Sequence, residues 1–185
     1  MNRWHIQQAV RAIHGGGIVA YPTEAVYGLG CDPLDPDAVM RLLALKRRPA
    51  EKGLILIAAS LDQLRPYLAP LTPMLKRKLA ATWPGPVTWL LPARPETPWW
   101  LTGDHDTLAV RVTDHPLAAA LCRAAGTPLV STSANPAGRR PARDTLAVQR
   151  MFGNRIDCLL HGAVGGKARP TEIRDARTGT VIRAG

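Results

Sequence analysis

Six short runs rich in Val, Ile and Leu, at positions 18–21, 54–58, 87–91, 108–112, 129–131 and 156–160, alternate with stretches of helical period. A run that is apolar throughout has no face to offer water, so it must be a strand covered by helices, and the intervening stretches supply them. The pattern predicts an α/β domain, a twisted sheet flanked by helices. From Thr171 to Arg183 two further short strands are expected about a turn at Thr178-Gly179, which makes the sheet mixed rather than all parallel. At 185 residues the chain is expected to form one domain, residues 1–185, around a single core.

The helix ends are readable. Asp35 can cap a helix with Pro36 in its first turn, and Val39, Leu42 and Leu43 form its apolar stripe before Pro49 forbids continuation. Lys46 falls on that same stripe. Asp114 with Pro116 is expected to open a second helix that Gly126 closes, and Thr72 with Pro73 a third.

Hydrophobic residues make up 46% and charged residues 21%, the balance of a soluble globular protein. No apolar run approaches the roughly 18 residues of a membrane span. The first eight residues lack the apolar stretch of a secretory signal, so a cytoplasmic protein is expected. Cys31, Cys122 and Cys158 are odd in number and widely spaced, which reads as reduced, buried thiols rather than a zinc site. The net charge of +10 favours polyanionic partners, either nucleotides or RNA. Because the cations run from Arg3 to Arg183, a solvated basic surface would explain them equally well.

Two polar patches lie far apart, each at the end of an apolar segment. Lys46-Arg47-Arg48-Pro49 closes a helix, where cations also suit the helix dipole; an ammonium on the apolar stripe nevertheless needs a partner. Ser131-Thr132-Ser133-Ala134-Asn135 follows a strand and offers more donors than one turn consumes. Cations and hydroxyls together suit a triphosphate beside a small polar substrate. Tyr21 to Gly30 leaves a strand through Pro22 and presents Thr23, Glu24 and Tyr27 before two glycines; it reads equally as a ligand loop or as a glycine-bearing turn. Arg111 alternates with Val110 and Val112, so it points away from the face they bury, as a carboxylate anchor would.

Two glycine motifs fail as nucleotide loops. In Gly162-Ala-Val-Gly-Gly-Lys167 the first glycine is one place too close and Ala168 follows the lysine, so a flexible linker is expected. Gly15-Gly16-Gly17 precedes a strand instead of opening a helix. Neither a Ser/His/Asp triad nor a close carboxylate pair follows from spacing. A reaction at phosphorus by an anionic nucleophile needs neither, because positioning and charge stabilisation carry it.

Pro22 to Gly30, Lys46 to Pro49, Trp83-Pro-Gly-Pro86, Ala109 to Val112, Ser131 to Asn135 and Pro170-Thr-Glu-Ile173 together resemble the YrdC family, in its short bacterial TsaC-type form. The motifs occur in family order over nearly the whole chain. The resemblance implies a YrdC-like fold with a basic concave cleft. It implies an enzyme, a nucleotidyltransferase joining L-threonine, bicarbonate and ATP into threonylcarbamoyl adenylate with release of pyrophosphate, which feeds t6A formation at adenosine 37 of tRNA. Carried over position by position, Lys46 and Arg48 would be catalytic and, with Ser133, Asn135 and Arg183, would bind ATP. Thr23, Arg111, Ser131 and Thr171 would grip threonine, with Tyr27 and Thr132 as further candidates. Mg2+ would ride on the triphosphate, with no metal held tightly by the protein. Proteins of the t6A transferase complex, and tRNA or double-stranded RNA, would be partners. The segment Lys52 to Ile57 departs from the many relatives that place a histidine there, and the resemblance is to the short form, so the additional C-terminal domain of longer relatives is not expected.

The rival expectation is a non-enzymatic RNA-binding factor of ribosome or tRNA maturation, suggested by the charge. Few aromatics are available for base stacking, Phe152 being the only phenylalanine.

Overall fold

Along the central strands successive residues belong to opposite cores. Ala20, Leu56 and Val130 join one apolar cluster, and Val19, Ile57 and Leu129 join the other. Both faces of the sheet therefore need helices. The computed structural model describes residues 3–185. Its elements in order are α1 (Arg3–His14), β1 (Val19–Pro22), β2 (Tyr27–Gly30), α2 (Pro36–Lys46), β3 (Ile55–Ala58), α3 (Leu61–Leu64), α4 (Pro73–Ala80) and β4 (Val87–Pro92). There follow α5 (Trp99–Thr102), β5 (Thr107–Val112), α6 (Pro116–Ala125), β6 (Leu129–Ser133), α7 (Thr145–Phe152), β7 (Cys158–Leu159), β8 (Glu172–Asp175) and β9 (Val181–Arg183).

The strands form one mixed sheet in the order β7-β1-β2-β6-β3-β5-β4-β8-β9. The pairs β1 with β7, β3 with β5 and β4 with β8 are parallel, and the others antiparallel. Helices α1 and α6 cover one face through Ile6, Ile13 and Leu121; α2 and α7 cover the other through Leu42, Val148 and Phe152. Cys31 and Cys122 are buried within these cores, and Cys158 is half-buried. Among the described residues no helix is long and apolar enough to cross a membrane.

The expected strands all appear, with ends shifted by a residue or two. Strand β2 was not anticipated, because its Tyr-Gly-Leu-Gly sequence reads as a turn. Its glycines serve close approach instead: a Cβ on Gly30 would lie 2.2 Å from the Val130 carbonyl and 2.9 Å from the Tyr21 hydroxyl.

Helix α2 starts as expected, with the Asp35 carboxylate accepting from Ala38 N–H at 3.0 Å. It ends on Arg47, which takes the left-handed conformation at φ 50°, while the N–H groups of Arg47 and Arg48 return to the carbonyls of Ala44 and Leu43. This reversal sends the side chains of Lys46 and Arg48 to different places. Helix α6 is capped one residue later than expected, by His115, whose ring accepts from Ala118 N–H. Gly126 closes it in the left-handed conformation.

The glycine segment 162–167 is pinned along its length, contrary to the flexible linker expected of it. The Tyr27 hydroxyl bonds both the carbonyl and the N–H of Gly162, His115 Nε2 lies 3.0 Å from the Ala163 carbonyl, and the N–H groups of Gly165 and Lys167 donate to Thr23 and Glu24. A Cβ on Gly165 would stand 3.0 Å from the backbone of Glu24, so the closeness depends on glycine. The segment straps across the β1–β2 turn and delivers Thr171 to the sheet.

Candidate active site

The two polar patches meet. Lys46 is 6% exposed, and its Nζ lies within hydrogen-bond reach of the Ser133 carbonyl, the Asn135 carbonyl at 2.7 Å, Asn135 Oδ1 at 3.0 Å and Ser133 Oγ at 3.4 Å. An ammonium has three protons, so these four oxygens saturate it. Burial, and secondarily the like charge of Arg48, pushes the ammonium down to about 8. Ser133 Oγ donates to Asn135 Oδ1 at 2.6 Å, and Asn135 Nδ2 donates to the carbonyls of Pro136 and Arg139. Lys46 and Asn135 thus form a polar hub that shapes the loop leaving β6.

That hub backs a cavity of about 440 Å³ whose wall includes Arg48, Arg111, Ser131, Thr132, Ser133 and Arg183. Thr23, Tyr27 and Thr171 also face it, whereas Lys46 and Asn135 stand behind it. The described wall contains cations and hydroxyls but no Asp or Glu. Nine of the eleven positions singled out from the sequence therefore line one cavity, and the other two support it. Lys52 and His105 also line it and were not anticipated; an exposed basic residue after a helix carries no signal of its own.

Its cations are held in the protein frame. Arg48 donates to the Gly53 carbonyl at 2.9 Å, which leaves its buried Nε without a partner. Arg111, 5% exposed, donates through Nη1 to Thr88 Oγ1 at 3.1 Å and to Thr171 Oγ1 at 2.7 Å. Its Nε is likewise buried and unpartnered. Arg183 donates to the Thr171 carbonyl at 2.7 Å. Burial lowers the guanidinium of Arg183, and the positive charges of Arg111 and Arg48 lower it further, a sign that the three converge. Two orphaned guanidinium donors beside one cavity are costly unless an anion meets them.

Thr23 Oγ1, like Ser133 Oγ, already donates within the protein, to the Val26 carbonyl at 2.7 Å, and fixes the β1–β2 turn. Glu24, which the sequence placed beside Thr23 and Tyr27 without a role of its own, is buried and lies 3.4 Å from Arg111 Nη2 as an ion pair. A buried arginine on an apolar strand demands a counter-charge, and that demand was the available signal. Among the described residues no three His, Cys, Asp or Glu side chains converge as a metal site would require.

The chain is similar to known proteins over nearly its whole length. Threonylcarbamoyl-AMP synthase of Nitrosococcus oceani is 59% identical over 97% of each chain, and that of Halorhodospira halophila 58% identical over 97% of this chain and 94% of its own. The crystal structure of P. abyssi Sua5 complexed with L-threonine superposes with a TM-score of 0.89 at 34% identity; it matches 95% of this chain, which spans 52% of that one. E. coli YciO superposes with a TM-score of 0.87 at 28% identity, over 98% of this chain and 89% of its own. The family model that describes Sua5, YciO and YrdC proteins under the heading telomere recombination matches residues 11–185. The chain belongs to the Sua5/YciO/YrdC family.

Proposed function

We propose that the chain, as one YrdC-like domain over residues 1–185, is a cytoplasmic threonylcarbamoyl-AMP synthase. It condenses L-threonine, bicarbonate and ATP and supplies the t6A modification of tRNA. The observation that carries this reading is the pair of orphaned guanidinium donors, Arg48 and Arg111, on the wall of a single cavity rimmed by hydroxyls. One cation suits a triphosphate and the other an amino-acid carboxylate.

In this reading Arg111, with Ser131, Thr171 and the Thr23 turn, orients threonine by its carboxylate. The threonine amine attacks the carbon of bicarbonate, loses a proton, and gives the carbamate and water. A carbamate oxygen then forms a bond to the α-phosphorus of ATP as the bond to the bridging oxygen breaks, and pyrophosphate carries away the electron pair. Arg48, Ser133 and Arg183 oppose the charge that gathers on the phosphates, which is where a closed polar site stabilises a transition state most. Lys46 and Asn135 hold the Ser133 loop to its place. The cations and hydroxyls of the wall fit phosphates that bring Mg2+ with them, rather than a carboxylate cage for the metal. Bicarbonate, the proteins that transfer threonylcarbamoyl, and the tRNA itself are the further partners this function assigns.

Purified protein given ATP, L-threonine and bicarbonate is expected to release pyrophosphate only when all three are present, and Arg48→Ala is expected to abolish most of that release. Release that ignores threonine would overturn the proposal. RNA affinity that falls steeply with salt, without any pyrophosphate release, would favour the rival RNA-binding factor instead.

A further inference from the structure

Behind Arg111 lies a carboxylate that none of the substrate contacts above uses. Glu24 is 3% exposed and is not part of the cavity wall, although its neighbours Thr23 and Ala25 are. Its Oε1 accepts from Thr113 Oγ1 at 2.6 Å, and its Oε2, which has no hydrogen-bond partner, faces Arg111 Nη2 at 3.4 Å. Thr113 Oγ1 in turn accepts from His115 N–H at 3.2 Å, so the carboxylate is tied to the start of α6. Its backbone is fixed as well, because the strap donates Lys167 N–H to the Glu24 carbonyl at 3.0 Å.

The consequence falls on the guanidinium. With Nη1 given to Thr88 and Thr171 and Nη2 facing Glu24, the planar group is held in one orientation on the cavity wall. A buried arginine without Glu24 would have no counter-charge and would turn toward whichever carbonyl or water relieved it. We infer that Glu24 is a positioning residue for amino-acid binding: it clamps Arg111 from behind and so fixes the orientation in which the guanidinium meets the α-carboxylate of L-threonine. This rests on Arg111 being the carboxylate anchor. Glu24 itself does not touch the substrate, so its effect is specific to threonine and absent for ATP.

The test compares Glu24→Gln, Thr113→Val, Arg111→Ala and the double variant Glu24→Gln/Arg111→Ala in the full chain, by pyrophosphate release at varied threonine and varied ATP, with melting curves for each. Glu24→Gln is expected to raise the KM for threonine about 10-fold or more, because a misaimed anchor loses orientation as well as contact, while the KM for ATP and the kcat at saturating threonine stay near wild type. Thr113→Val, which removes the hydroxyl that donates to Glu24 and accepts from His115 N–H, should move the threonine KM the same way by less, and it carries the test if Glu24→Gln does not fold. On the Arg111→Ala background Glu24→Gln should add nothing. A threonine KM unmoved in both Glu24→Gln and Thr113→Val, while Arg111→Ala raises it, overturns the inference and spares the anchor. An equal rise in both KM values overturns it as well, since that is what a merely structural ion pair would do. If Arg111→Ala leaves the threonine KM unchanged, the anchor itself falls, and the inference with it.

Discussion

Replacing Lys46 by methionine keeps the aliphatic stem on the apolar stripe of α2 and removes only the ammonium. Three charge-assisted hydrogen bonds can form at once among the four oxygens around Nζ, and at about 1.5–3 kcal/mol each they contribute roughly 5–9 kcal/mol. Against them stands the cost of burying the charge. Burial, with a smaller part from Arg48, moves the ammonium from 10.5 down to about 8, so the net stabilisation is smaller than that sum. The bonds win, and Lys46→Met should lose about 2–6 kcal/mol, partly because two backbone carbonyls are left unmet. For a chain of this size that lowers Tm by at least about 4 °C. Differential scanning calorimetry at neutral pH measures it directly. A Tm equal to or above wild type would mean that desolvation outweighs the four oxygens and that the ammonium is not what shapes the loop after β6.

Three further outcomes follow from particular residues. Arg47→Gly should raise stability by about 0.5–1 kcal/mol in denaturant titration, because the left-handed conformation costs a side chain about 1–2 kcal/mol and glycine gives part of that back as unfolded-state entropy. Gly30→Ala should cost about 3 kcal/mol or more in the same assay, since its Cβ meets a backbone carbonyl that cannot turn aside. Burial alone would raise the Glu24 carboxyl, but Arg111 and the Thr113 hydroxyl together hold it below its ordinary 4.5. The stability it contributes is therefore complete above pH 4.5 and lost as pH falls through the lower folded value, so the stability gap between wild type and Glu24→Gln should narrow in acid. A gap independent of pH would contradict that pairing.

Much of the scaffold was legible because the cores speak in runs. A fully apolar strand such as Leu54 to Ala58 cannot be mistaken for a surface loop, and Asp35-Pro36 announces a helix by local chemistry alone. Lys46 could be singled out for a related reason, since a cation on an apolar stripe has to be met by something, and the Ser133–Asn135 loop meets it. What stayed hidden depends on approach between distant segments. The glycines of β2 and of the strap look like freedom in one dimension and prove to be clearance for a neighbouring backbone in three. The split between residues that line the cavity and those that stand behind it was equally invisible, because Lys46 and Arg48 differ only by the left-handed turn at Arg47 that aims them apart. The role of Glu24 stayed hidden because its partner lies 87 positions away on β5.

The most direct test is a crystal structure with L-threonine and a non-hydrolysable ATP analogue. The account predicts both in the one cavity, the threonine carboxylate on the guanidinium of Arg111 and the phosphates against Arg48, Ser133 and Arg183, with Glu24 still behind Arg111. Threonine or nucleotide seated outside that cavity, or a carboxylate that leaves Arg111 untouched, would contradict it.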